Sequence, residues 1–204
     1  FWTLDLEVTR DTLIPRGDTE TLIEALIRHR PDRASVSSIL DLGTGSGCLL
    51  LAALTEYPQA VGVGVDYREG TARQAAHNAS LNRLDQRALF AVAHWMDPLA
   101  GRFDVVLSNP PYIPSRDIGG LMRDVVEYEP MIALDGGTEG LDAYRAIIPR
   151  LPDMLTPEGI AILEFGIGQA EDVAHIAQLT GLKIVELCSD LAGVTRAIIL
   201  CRSL

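Results

Sequence analysis

The residues with the most pointed chemistry are Asn109-Pro110-Pro111-Tyr112. They directly follow Phe103–Ser108, a short β-branched apolar run that reads as a buried strand. The Asn109 side-chain oxygen and the Pro110 carbonyl can accept hydrogen bonds from both N–H groups of a planar amide or amino group. The two prolines fix φ and carry no donor, so the carbonyls here are not consumed by a continuing sheet. Tyr112 offers a flat face for a planar substrate. A plain strand-ending Pro-Pro turn is the structural alternative.

A second group is Asp41-Leu42-Gly43-Thr44-Gly45-Ser46-Gly47. Its glycines allow a tight turn and a close approach of backbone to ligand. Asp66 lies about 20 residues on, at the end of a second apolar run, where an acid binds ribose hydroxyls. Asp41 chooses among nucleotides. A carboxylate at the base of the loop repels a pyrophosphate and attracts the ammonium and sulfonium of S-adenosyl-L-methionine. Helix capping or a solvated charge is the other reading of Asp41. His94-Trp95 comes after a third run, and the Trp95 ring suits either stacking on adenine or packing in the core. The expected cofactor set is therefore Asp41, Gly43, Thr44, Gly45, Ser46, Gly47, Asp66, Trp95 and Asn109. The expected catalytic and substrate set is Asn109, Pro110, Pro111 and Tyr112. Arg16, Asp18 and Glu20 are expected to close over the cofactor or, for Asp18, to cap a helix. Glu129 and Glu139 are read as loop structure or substrate rim.

These groups need a scaffold, and the chain's periodicity supplies one. From residue 38 onward, strands expected at 39–42, 61–65, 88–93, 103–108 and 160–165 alternate with helices expected at 47–57, 69–82, 141–155 and 169–180. Residues 183–187 and 196–201 close the sheet. A polar excursion over 114–140 carries a short helix near 117–125. This order implies an α/β, doubly wound, mostly parallel seven-stranded sheet with ligands at the carboxyl ends of its strands. Residues 1–35 are expected to form a β-hairpin and an amphipathic helix leading into the core domain, residues 36–204. The hairpin rests on Trp2, Leu4, Leu6 and Val8 alternating with polar residues, and on a second extended piece at 12–14.

The totals exclude several classes. At 204 residues, 48% hydrophobic and 22% charged, the chain is an ordinary globular domain. No run approaches a membrane span, and no leader is visible. A net charge of −11 disfavours stable nucleic-acid binding through phosphate contacts. Cys48, Cys188 and Cys201 have no paired spacing, which argues against a disulfide framework or a metal site and for a cytoplasmic setting. The first residue is Phe1, so the chain is expected to be a piece of a longer protein.

The glycine loop, Asn109-Pro-Pro-Tyr112 and Pro15-Arg-Gly-Asp-Thr-Glu20 together resemble the HemK/PrmC family, protein-glutamine methyltransferases of peptide chain release factors. The resemblance extends through Glu129-Pro130, Gly136-Gly137, Gly140-Leu141, Glu164 with Gly166 and Gln169, and Asp190-Leu-Ala-Gly193. It implies a class I S-adenosylmethionine-dependent methyltransferase fold. It also implies that Asn109 and the Pro110 carbonyl hold the glutamine amide of a release factor's Gly-Gly-Gln loop. Gly17 stands where the family usually has Pro, and His94 where it often has Asp. The family's small helical N-terminal domain is absent from these residues. A glutamine methyltransferase of a ribosomal protein and an amino methyltransferase of nucleic acid remain the alternatives. A non-catalytic binding domain is a third, and it would have no use for Asn109.

Overall fold

The computed structural model describes residues 1–97 and 99–203, so the domain end expected at 204 lies outside the described residues. The apolar runs form strands β1 (Ser38–Leu42), β2 (Val61–Asp66), β3 (Ala88–Val92), β4 (Phe103–Ser108), β5 (Leu155–Glu164), β6 (Leu182–Ser189) and β7 (Thr195–Arg202). They join in one sheet of order β3-β2-β1-β4-β5-β7-β6. Only β7 runs against the others, pairing antiparallel with β5 and β6. The helices are α1 (Glu20–His29), α2 (Cys48–Glu56), α3 (Glu69–Leu81), α4 (Arg123–Tyr128), α5 (Asp142–Ile147), α6 (Leu151–Met154) and α7 (Ala170–Leu179).

Side chains alternate across the sheet, and each face has its own core. Ile39, Val105, Leu107, Ile160 and Ile162 bury with α1 and α2 on one side. Leu40, Leu42, Val106, Ala161 and Leu163 bury with α5, α6 and α7 on the other. Helix α2 is buried almost all round through Leu49, Leu50, Leu51, Ala52, Ala53 and Leu54, which is why its sequence shows no polar face.

The chain steps outward from β1 to β2 and β3, then returns to place β4 on the other flank of β1. That reversal is the topological switch point of a doubly wound sheet, where a crevice opens above the carboxyl ends of the strands. Leu42 is level with Val65 on β2 and with Ser108 on β4. The glycine loop, Asp66 and Asn109, although far apart in sequence, therefore leave the sheet side by side.

Three expectations are corrected. No strand forms among residues 1–16, so the N-terminal hairpin is absent. Residues 4–9 run without regular secondary structure between turns at 2–3 and 10–11 and lie against α3, whose side-chain amides replace a partner strand. Asn78 accepts from the Glu7 N–H and donates to the Glu7 carbonyl, both at 2.9 Å. Asn82 does the same for Asp5, at 3.2 and 2.8 Å. Two residues of extended chain span about 6.6 Å and four residues of helix about 6 Å, so the two rows stay in register. The helix expected over 141–155 breaks into α5, a 3-10 turn at Ile148–Arg150, and α6. Pro149 and Pro152 lack the N–H groups a continuous helix needs. Pro157 and Gly159 end no helix; they lie inside β5, where its register against β4 shifts between Phe103 and Val105.

Candidate active site

A cavity of about 600 Å³ opens over the switch point. Its floor is Gly43, Thr44, Gly45 and Ser46, with Cys48 and Leu49 from the start of α2. Val65, Asp66 and Tyr67 form one wall with His94 and Trp95, and Asn109 and Pro111 form the other. Asp11, Leu13, Pro15 and Arg16 from the N-terminal segment, and Ile132, Ala133 and Asp135 from the polar excursion, also line the cavity.

The loop takes its shape from glycine. Gly43 has φ +69° and Gly47, which precedes α2, has φ +83°, a region costly for any residue with a Cβ. A Cβ on Gly43 would stand 3.5 Å from the Trp95 ring, so that ring covers the loop directly. Trp95 is itself left-handed at φ +53°, an uncommon conformation for an aromatic residue. The Asp66 carboxylate accepts from the Gly45 N–H at 3.0 Å and the Arg68 N–H at 3.2 Å. Burial raises the Asp66 carboxyl above its ordinary value, and those amide bonds oppose the rise.

Asp41 lies beneath the loop, 1% exposed, and does not line the cavity itself. One carboxylate oxygen accepts from the Thr44 hydroxyl at 2.6 Å; the other has no partner. Burial pushes this carboxyl up to about 7, opposed by the Thr44 hydrogen bond. An orphaned buried carboxylate oxygen under an anion-poor loop asks for a cation or donor nearby. Cys48 is no reactive thiol, because burial pushes it up to about 12, and the neighbouring Asp41 adds to the rise.

Asn109 leaves β4 half-buried on the cavity wall. Its amide Nδ2 donates to the Thr19 hydroxyl at 3.0 Å, so Oδ1 is the atom left for a ligand. Pro110 is buried behind the wall and Pro111 is on it. Tyr112 stands one step back: it packs against the second core, and its hydroxyl donates to Glu164 at 3.3 Å. The turn is anchored by Gln169, whose Nε2 donates to the Tyr112 and Gly140 carbonyls at 3.0 and 3.1 Å and whose Oε1 accepts from the Gly166 N–H at 2.8 Å.

Of Arg16, Asp18 and Glu20, expected to close over the cofactor, Arg16 alone lines the cavity, and it pairs with the buried Glu129. Asp18 instead pairs with Arg196 at 3.0 Å, and Glu20 accepts from the Trp2 N–H at 2.6 Å. Glu139 is an exposed partner of Arg145. His94 meets the Tyr67 ring edge-on at 5.9 Å. Residue-by-residue reading did not assign a role to Thr19 or Glu164. Glu164 did leave a signal, a lone carboxylate in the apolar run Ile160-Ala-Ile-Leu-Glu-Phe165.

Residues 17–127 match the model of the methyltransferase small domain. The chain is 48% identical over 199 residues to the release factor glutamine methyltransferase of Rhodospirillum rubrum, covering 98% of this chain and 61% of that one. It is 42% identical over 201 residues to the release factor glutamine methyltransferase of Bradyrhizobium diazoefficiens, covering 97% and 68%. The chain belongs to the release factor glutamine methyltransferase family. It spans roughly two thirds of the length of these relatives, 61% of the first and 68% of the second. A crystal structure of ribosomal protein L11 methylase from Lactobacillus delbrueckii subsp. bulgaricus has the same fold, with a TM-score of 0.69, 17% identity, and coverage of 95% of this chain and 82% of that one. As a methyltransferase of this family the chain takes S-adenosylmethionine as cofactor, and the residues fit it. The glycine floor leaves room for close backbone approach, Asp66 presents a carboxylate on the wall, and Asp41 supplies a buried carboxyl with one unpartnered oxygen beneath.

Proposed function

We propose that this chain transfers a methyl group to the side-chain amide nitrogen of a glutamine in a peptide chain release factor. The observation that carries the reading is Asn109 on the cavity wall, beside the glycine loop, with its amide N–H engaged by Thr19. The relatives' names supply the acceptor class. When bound, S-adenosylmethionine supplies an electrophilic methyl on a sulfonium. The residues of this chain do the rest. Asp66 binds ribose hydroxyls, the backbone of residues 43–46 cradles the amino-acid part, and Trp95 offers its face to the adenine.

An amide nitrogen is a poor nucleophile because its lone pair is delocalised into the carbonyl. Asn109 Oδ1 and the Pro110 carbonyl would accept from the two N–H groups, push electron density onto nitrogen, and stabilise the positive charge that develops there; as the N–CH3 bond replaces the donor's S–CH3 bond, one N–H proton is lost to water and the amide is neutral again. They also fix the nitrogen's approach, which is the larger part of the catalytic task. Tyr112 and Pro111 stiffen the turn that carries these acceptors. The reading carries with it a cytoplasmic setting, where release factors act, and no stable nucleic-acid partner.

The test is a labelled-methyl transfer assay offering a release factor, its Gly-Gly-Gln→Gly-Gly-Ala form, a ribosomal protein fraction and nucleic acid. Label on the release factor that disappears with the glutamine supports the reading. Label on nucleic acid, or label that survives loss of the glutamine, overturns it.

A further inference from the structure

One side chain holds the back of the reactive turn. Gln169 stands half-buried at the entry to α7 and bonds three separate segments. Its Nε2 donates to the Tyr112 carbonyl at 3.0 Å, just past β4, and to the Gly140 carbonyl at 3.1 Å, where the polar excursion ends. Its Oε1 accepts from the Gly166 N–H at 2.8 Å, just past β5. The Gln169 backbone N–H also donates to the Gly166 carbonyl, at 3.1 Å. Two acceptors face Nε2 and one donor faces Oε1. A flipped amide would set oxygen against two oxygens, so one orientation alone satisfies all three partners.

Glycines bring these segments within reach of one another. A Cβ on Gly136 would stand 2.8 Å from the Pro111 carbonyl oxygen and from Tyr112 Cα, and a Cβ on Gly166 would stand 3.0 Å from the Tyr112 ring. A Cβ on Gly140 would run into the Tyr112 carbonyl oxygen. The chain leaving the turn is stitched to the excursion as well: the Ile113 N–H donates to the Leu134 carbonyl at 3.0 Å, and the Gly136 N–H donates to the Ile113 carbonyl at 2.9 Å. Asn109 and Pro111 line the cavity on one side of this junction, and Asp135, Asp142 and Ala143 line it on the other.

Pro110 and Pro111 have no N–H, so restraint on the turn falls on its carbonyls. We infer that Gln169 is a positioning residue: by holding the Tyr112 and Gly140 carbonyls together, it sets the spacing between the Asn109-Pro110 acceptors and the wall that the excursion contributes, and with it the place where an acceptor amide meets the methyl group. This role rests on the reading of Asn109 and Pro110 given above and adds the part that fixes their place. Gln169 makes and breaks no bond and does not line the cavity. The residue type follows from the partners. Asn is one methylene shorter, and an ionised Glu keeps the acceptor for Gly166 but has no donor for the two carbonyls.

Gln169→Glu therefore separates the structural bond from the positioning bonds. Backbone hydrogen exchange is expected to stay slow at Gly166 and to become at least about 10-fold faster at Ile113 and Gly136. Gln169→Met, which supplies none of the three bonds and adds no charge, should speed exchange at all three. In the transfer assay, both variants should lower kcat about 10- to 100-fold, with KM and S-adenosylhomocysteine affinity within about two-fold of the wild type. Unchanged exchange at Ile113 and Gly136, a wild-type kcat in Gln169→Met, or a loss shared equally by kcat and S-adenosylhomocysteine affinity would overturn the inference. Exchange needs no turnover. A wild-type enzyme that leaves the release factor unlabelled would overturn the acceptor reading instead, with the exchange shifts still standing.

Discussion

At the scale of single residues, the site rests on polar groups left half-satisfied. Asn109 spends its N–H on Thr19 and keeps its oxygen. Asn109→Ala is expected to lower methyl transfer about 100-fold or more while S-adenosylhomocysteine binding stays largely intact. Asn109→Asp should fail as well, since a carboxylate attracts the sulfonium and offers no orientation of its own. Single-turnover transfer beside calorimetric titration checks both; near-normal turnover of Asn109→Ala would make the turn merely structural. Asp41 is the second such group, with a folded value of about 7 against an ordinary 3.8. A raised carboxyl favours folding below about pH 4, and that contribution is lost as pH rises through about 7. An ammonium nearby reverses the preference by favouring the charged form. Cofactor-product binding at pH 6 should therefore release a proton and tighten as pH rises to 7. Calorimetry in buffers of different ionisation heat measures this, and Asp41→Asn should abolish the release. A proton count of zero in the wild type would show that Asp41 is already charged.

At the scale of elements, two joints hold the roof of the site to its floor. Asn78 is fully buried on α3 and bonds Glu7 on the N-terminal segment and the Ser46 carbonyl of the glycine loop. Asn78→Leu strands those backbone groups and should cost about 1–3 kcal/mol. Hydrogen exchange should rise at residue 7 and in the loop together; a rise confined to one of them would disconnect the two. The other joint is the turn into α1. Arg16 is extended at φ −102° and ψ 148°, Gly17 begins a 3-10 turn, and a Cβ on Gly17 meets open space. Those are the conditions proline accepts at a first helical position. Gly17→Pro is expected to stabilise the chain by about 0.4–1 kcal/mol through loss of unfolded-state freedom. Urea unfolding reads this directly, and destabilisation would mean that the Gly17 N–H or its φ matters to the fold.

At the scale of the whole molecule, charge and surface decide how an acceptor arrives. The net charge is −11 and the sequence pI about 4.7. Exposed Met122, Tyr128, Met131 and Ile132 add apolar area on the excursion beside the cavity mouth. A release-factor loop rich in basic residues would be steered by the long-range field, an aid that fades once ionic strength shortens the screening length to about 10 Å near 0.1 M. The expected outcome is a kcat/KM that falls steeply with salt through KM, with kcat nearly constant. A salt-independent KM would remove electrostatics from substrate capture.

The strand-end motif, the glycine loop and Asp66 were legible in the sequence because their meaning is local. An apolar run predicts a buried strand, and a doubly wound sheet delivers the residues just past each parallel strand to one edge. That logic placed Asn109 next to Gly43–Gly47 without a single long-range contact being known. It failed wherever the partner lies far along the chain. The alternation of Trp2, Leu4, Leu6 and Val8 read as a strand, which does not form; whether another strand or the amides of Asn78 and Asn82 would bond the segment depended on packing over more than 70 residues. Proline content near residue 150 was visible, yet the sheet's claim on residues 155–159 decided where the helix stopped. Thr19 looked like an ordinary helix-opening threonine. Only folding brought it 90 residues across to Asn109. Pattern fixes which residues reach the edge of the sheet, since it acts over a few residues; orientation of an amide depends on hydrogen-bond partners that only the folded chain assembles.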